Sequence, residues 1–165
     1  MNKIFDDDAV VPYRNTKIKA LQTKSEIDGL LARWGIKKFG WDWDFDVTRS
    51  GKDVVAVHFQ FSEEMDGKTI TPMITLEPPR IWKKANPRQK VKETVNWDVS
   101  MRVLWWWMKS HLEYAYLSQS AKTTEFLSYV QVPGLEGKSR NLIEELLDKH
   151  NMFKALPMRE NGENV

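Results

Sequence analysis

The sequence predicts an α+β fold. An antiparallel meander of three or four strands is covered on one face by two or three helices, in the order (β)αβββα and then a C-terminal helix. Three observations carry this expectation. Trp97–Ser120 (WDVSMRVLWWWMKSHLEYAYLSQS) holds four of the eight tryptophans. Its Trp97, Met101, Leu104, Trp105, Met108, Leu112 and Ala115 recur at steps of three or four, the spacing of one helical face. Trp41–Thr48 (WDWDFDVT) and Val54–Phe61 (VVAVHFQF) alternate instead with the two-residue period of strands. Between the second of these runs and a third lies Asp66-Gly67, a hairpin signal.

The totals fit one domain over residues 16–156, with tails at 1–15 and 157–165. The chain has 165 residues, 41% of them hydrophobic and 29% charged, as in ordinary globular proteins. A net charge of +2 is too small to imply a nucleic-acid partner by itself. With no cysteine, disulfides and thiolate metal sites are excluded. No signal peptide is read in MNKIFDDDAVV, and no apolar stretch reaches the ~18 residues of a membrane span. A cytoplasmic protein without membrane contact is the expectation, host-cytoplasmic if the source is viral; the residues leave its oligomeric state open.

Taken in order, residues 1–15 carry the acidic cluster Asp6, Asp7, Asp8 and then Pro12, which disfavours a helix there. Thr16–Leu21 reads as a short strand. Thr23-Lys24-Ser25-Glu26 fits a capping box. The stripe Ile27, Leu30, Leu31, Trp34 follows, then Gly35 as a left-handed C-cap, so a helix is expected at 24–34. In the first strand Trp41, Trp43, Phe45 and Val47 point inward and Asp42, Asp44 and Asp46 outward. Val55, Val57, Phe59 and Phe61 form the inward face of the second. For both faces to meet the core, Phe45 should oppose Val55, Trp43 Val57, and Trp41 Phe59. That register sets Asp42 opposite His58. Thr69–Leu76 is the third strand, placed at an edge by Pro72, which lacks an amide proton. The long helix starts either near Pro87, after an Asn86 cap, or anew at Asn96. Thr123–Val132 is a short apolar segment, and Leu142, Ile143, Leu146 and Leu147 mark a final helix at about 139–150.

The long helix with Trp106, Lys109, Leu112 and Glu113, followed by EFLSYVQVPG at 125–134, resembles a set of small uncharacterised proteins of phages and prophages. In them a helix bearing Trp and Lys precedes an EFL-x-Y-x-x-x-P-x-G segment. The likeness covers roughly a third of the chain. Pro133 is followed directly by Gly134, a departure from the pattern. The resemblance implies a phage or mobile-element origin and brings no catalytic residue with it. The helix–three strands–helix order is also that of the double-stranded-RNA-binding domain. However, Lys83-Lys84 is followed by Ala85, Asn86, Pro87 and Arg88, a spacing unlike that domain's lysines.

The basic run Arg80–Lys92 is the main functional signal. Arg80, Lys83, Lys84, Arg88, Lys90 and Lys92 stand there without a carboxylate, and Trp82 is interleaved. Cations neutralise phosphates and release counterions, and an aromatic ring stacks on a base. The expected function is therefore non-sequence-specific nucleic-acid binding through 80–92, with single and double strands both open as partners. The alternative is a protein-interaction module, such as an inhibitor of a host system or a subunit of an assembly. A plain solvated connector is the bland reading of the same charges.

Other constellations point less far. Asp42, Asp44 and Asp46 with His58 suggest a hard-cation site, yet alternate strand residues lie ~6.8 Å apart, too far to share one ion unaided. Gly134–Ser139 (GLEGKS) departs from the phosphate-loop pattern, with Val132 where its first glycine is needed. The histidines His58, His111 and His150 lack metal-pair spacing. No enzyme, metal or cofactor is expected. Trp105, Trp106 and Trp107 diverge by ~100° each on a helix, so at least one leaves the main core.

Overall fold

The computed structural model describes residues 3–44, 54–65, 67–85 and 92–130. In chain order they form β1 (Ile4–Phe5), α1 (Ala20–Arg33), β2 (Lys38–Asp44), β3 (Val54–Gln60), β4 (Glu63–Met65), β5 (Lys68–Ile70), β6 (Met73–Leu76), β7 (Ile81–Lys83), β8 (Thr94–Val95), α2 (Trp97–Leu117) and α3 (Lys122–Glu125), with a 3-10 turn at Leu127–Tyr129. The architecture is α+β, with an antiparallel sheet of order β2-β3-β6 under α1 and α2. The helix expected at 139–150 and the GLEGKS loop lie outside the described residues.

The core follows the predicted faces. Ile27, Leu30 and Leu31 of α1 meet Met101, Leu104, Met108 and Leu112 of α2 over Val55, Val57, Phe59, Ile74 and Leu76 of the sheet, all buried. Trp43 also faces this core but is only half-buried, because β2 is the outermost strand among the described residues. The register differs from expectation by two residues: Trp41 opposes Val57 and Trp43 opposes Val55. A shift of two preserves which face each side chain takes, so the inward set is unchanged. It adds Phe39, opposite Phe59, to a strand that begins earlier than expected.

The third strand is broken. β5 pairs with β4 across the turn at Gly67, whose φ is +73°, while β6 pairs with β3. Pro72 stands between them and has no amide to continue a ladder. Among the described residues β6 is the sheet's edge, as Pro72 implied, touched on its outer side by a bridge from Ile74 to Val130.

The N-terminal residues are built into the fold. Instead of a strand at 16–21, the chain forms β1, parallel to β7, and Val11 is buried with Ile81 and Val99. A second small sheet, β1-β7-β8, results. Its centre is Ile81–Lys83, inside the basic run, where no strand was expected.

α1 begins at Ala20, before the expected capping box. Thr23 is therefore inside the helix and buried. The capping comes from another helix: Asp98 Oδ1 of α2 accepts from Ala20 N–H at 2.7 Å, and Asp98 Oδ2 accepts from Lys19 Nζ at 3.2 Å. One turn on, Arg102 pairs with Glu26 and lies 4.3 Å from the Trp105 ring. Carboxylates belong at helix N-termini, where amides lack partners, so Asp98 ties the start of α1 to the start of α2. Gly35 closes α1 as expected, at φ +74°, with Ile36 N–H donating to Leu31 carbonyl.

α2 starts at Trp97, not near Pro87. Asn96 caps it, accepting from Val99 N–H at 3.4 Å, and its Nδ2 donates to Asp6 Oδ2 at 2.6 Å. Among the three consecutive tryptophans, Trp106 is 48% exposed. Trp107 packs against Phe126 and Tyr129 at 5.7 and 5.2 Å, beneath the segment that follows α2.

Candidate functional site

Among its described residues, the basic run is not one open strip. Trp82 sits in β7 between β1 and β8, and the Lys3 ammonium lies 4.4 Å from its ring centroid. A base stacking there would compete with that cation. Arg80 lies 5.8 Å from the Trp97 ring. Lys84 donates to Asp7 at 2.7 Å and stands 5.5 Å from the Phe5 ring. The hydrogen bond and charge of Lys84 hold the Asp7 carboxyl below its ordinary range, and Asp7, with Asp8 and Asp6 behind it, raises the Lys84 ammonium. The N-terminal acidic cluster thus lies against the basic run, because β1 runs parallel to β7. Lys83 and Lys92 are exposed near the ends of the paired strands β7 and β8. Arg88 and Lys90 lie outside the described residues.

The outer sheet face joins Asp42 to His58, though not as directly opposed residues. His58 opposes Gly40 on β2 and Thr75 on β6. Its Nε2 is 2.8 Å from Asp42 Oδ2 and its Nδ1 is 2.9 Å from Thr75 Oγ1. This cross-strand line satisfies both ring nitrogens. Asp46 and the Asp44 side chain lie outside the described part of the chain, and the described residues contain no cluster of three metal-ligating side chains.

A site that the sequence reading missed lies where α1 and α2 end side by side. A cleft of about 550 Å³ is lined by Arg33 and Trp34 from the end of α1, Leu112, Ala115 and Tyr116 from α2, and Gln119, Ser120 and Lys122 beyond it. Trp34 and Tyr116 meet edge to face at 5.6 Å, and Tyr116 is 70% exposed. Among the described residues, two cations line the cleft and no carboxylate does.

The backbone around this cleft is specifically built. α2 ends with Ser120 N–H donating to Ala115 carbonyl and with Gln119 in the left-handed region at φ 55°. Glycine is the usual residue in that conformation; a glutamine there carries strain, which clusters at functional positions. Lys122 is placed by Glu63 of β4. The Glu63 carboxylate accepts from Lys122 N–H at 2.8 Å, Thr123 N–H at 2.9 Å and Thr123 Oγ1 at 2.7 Å. Partial burial works against its ionisation. The bonds from Thr123 and Lys122 outweigh that burial and hold the carboxyl below its ordinary value. Glu63 is thereby committed to α3 while Lys122 faces the cleft.

Comparison of the chain with protein-family models, with curated proteins and with solved structures returned no match.

Proposed function

We propose that this chain is a protein-interaction module that engages its partner through the cleft between the ends of α1 and α2. The observation that carries the reading is the cleft's composition. It has an aromatic wall of Trp34 and Tyr116, an apolar floor of Leu112 and Ala115, and Arg33 and Lys122 at its sides, with no carboxylate among the described lining residues. Aromatic residues and arginine concentrate at the energetic centres of interfaces. Cations beside an apolar pocket whose described lining holds no carboxylate favour a partner segment with one apolar anchor flanked by carboxylates.

The test is fluorescence polarisation on peptides carrying a single Leu, Phe or Trp flanked by either Asp/Glu or Lys. Acidic-flanked peptides should bind, and Arg33→Glu should weaken them about tenfold, as expected for one lost charge contact. Equal binding of the lysine-flanked set, or no binding of either, would overturn the reading.

Nucleic-acid contact is the second reading. It rests on Lys83 and Lys92, both exposed near the β7–β8 ends. Against it stand the acidic cluster at Lys84 and the cation over Trp82. Each phosphate contact on duplex DNA contributes about 0.9 to the log–log salt slope. Binding at low salt that loses ~2 units of slope in Lys83→Glu/Lys92→Glu would favour this reading over the first.

A further inference from the structure

We infer that the chain pairs with a second copy of itself through β2, antiparallel, about a two-fold axis at Gly40. β2 is seven residues long and is bonded on one side only, to β3. Among the described residues nothing pairs with its far side. Such an edge is a template for another strand unless it is blunted by proline, a bulge, a covering element or charges that repel the incoming strand. Lys38–Asp44 has no proline, and its register with β3 runs without a slip.

Phe39 lies on the core face of this edge strand and is 38% exposed; Trp41 beside it is half-buried. The apolar face therefore runs on to the sheet's open rim. Gly40 adds a second observation. Its φ lies outside the left-handed region, and a Cβ built on it meets nothing within 4 Å. Neither backbone nor space in the single chain asks for glycine. Opposite its own copy, a glycine leaves the face between Lys38 and Asp42 open, so that these two longer side chains can meet across the pair.

The charges select the partner and the register. With Gly40 opposite Gly40 of the second copy, Lys38 faces Asp42 and Asp42 faces Lys38, while Phe39 faces Trp41 on the other side of the sheet, again twice. Lys-Phe-Gly-Trp-Asp is thus complementary to itself read backwards, as a two-fold contact requires. Opposite charges and aromatic pairs across an antiparallel pair are both favourable. Lys38 has no ion pair among the described residues. Asp42 uses one oxygen toward His58 and keeps its side chain 60% exposed. The product is one continuous six-stranded sheet, β6-β3-β2 joined to its symmetry mate.

Sedimentation equilibrium of the full chain across a concentration series tests this. Wild type should show a monomer–dimer equilibrium. Lys38→Glu and Asp42→Lys should each dissociate at least ~10-fold more readily, because like charges then face one another twice. Mixing the two variants should restore dimers. The carboxylate introduced at position 38 of one chain then meets the ammonium introduced at position 42 of the other, and the second facing pair keeps its native Asp42 and Lys38. Arg33→Glu, in the cleft, should dimerise like wild type, which separates this inference from the proposed function. A wild type that stays monomeric, or single variants that dimerise as well as wild type, would overturn it.

Discussion

Replacing Glu63 by glutamine tests whether one carboxylate docks α3 and so places Lys122 at the side of the cleft. The carboxylate accepts three hydrogen bonds, from Lys122 N–H, Thr123 N–H and Thr123 Oγ1. Glutamine keeps the shape, but one of its two terminal groups is a donor facing donors. Hydrogen bonds to charged groups contribute ~1.5–3 kcal/mol each when isolated. Here they share one acceptor group that is partly solvated, so the sum must be discounted and the expected loss is about 1–3 kcal/mol. The pH dependence has a fixed sign. The folded-state pKa is depressed, so this stabilisation is fully present above the unfolded value of about 4.3 and is lost as pH falls through the lower folded value. Urea melts of wild type and Glu63→Gln should therefore differ at pH 7 and converge as the pH falls through that lower folded-state value. Equal stability at pH 7, or a gap that persists unchanged into acid, would refute the role given to Glu63.

Leu104→Ala should cost roughly 2–5 kcal/mol in urea melts, because Leu104 is buried between α1, α2 and the sheet. Asp98→Ala should cost about 1 kcal/mol or somewhat more, removing the cap on Ala20 N–H and the contact to Lys19; an unchanged melt would mean α1 needs no cap from α2. Gly35→Ala should cost about 1–2 kcal/mol by the same measurement, since φ is +74° with no steric crowding to relieve. Gln119→Gly should raise stability by up to about 1 kcal/mol, relieving the left-handed strain at φ 55°. The same variant should weaken peptide binding at the cleft, a divergence that a purely structural residue would not show.

Periodicity made the core legible because it depends only on residues near in sequence. Ile27, Leu30 and Leu31, the Met101-to-Leu112 face and Val55, Val57, Phe59 could each be read from spacing. Register was legible only in parity: any shift by two satisfies the same burial pattern, and Gly40 with Lys38 hid the true start of β2. The third strand looked continuous although Pro72 divides it. Thr23 and Glu26 had the spacing of a capping box, but Asp98, 78 positions away from Ala20, took the cap, and no local pattern announces such a partner. β7 went unread because three residues, Ile81–Lys83, are too few for a strand signal amid lysines. The cleft was illegible for the same reason at larger scale. Arg33 and Trp34 meet Tyr116 and Lys122 only through the packing of α1 on α2. Gln119 in the left-handed region carries no glycine to advertise it.

The most direct test of the cleft is a map of amide and indole chemical shifts on the labelled full chain, titrated with an acidic-flanked Trp peptide. Shifts should concentrate on Arg33, the Trp34 indole, Tyr116, Gln119, Ser120 and Lys122, and disappear in Arg33→Glu. Shifts gathered instead on Ile81–Lys83 and Lys92, or an unperturbed Trp34 indole at saturating peptide, would contradict the account.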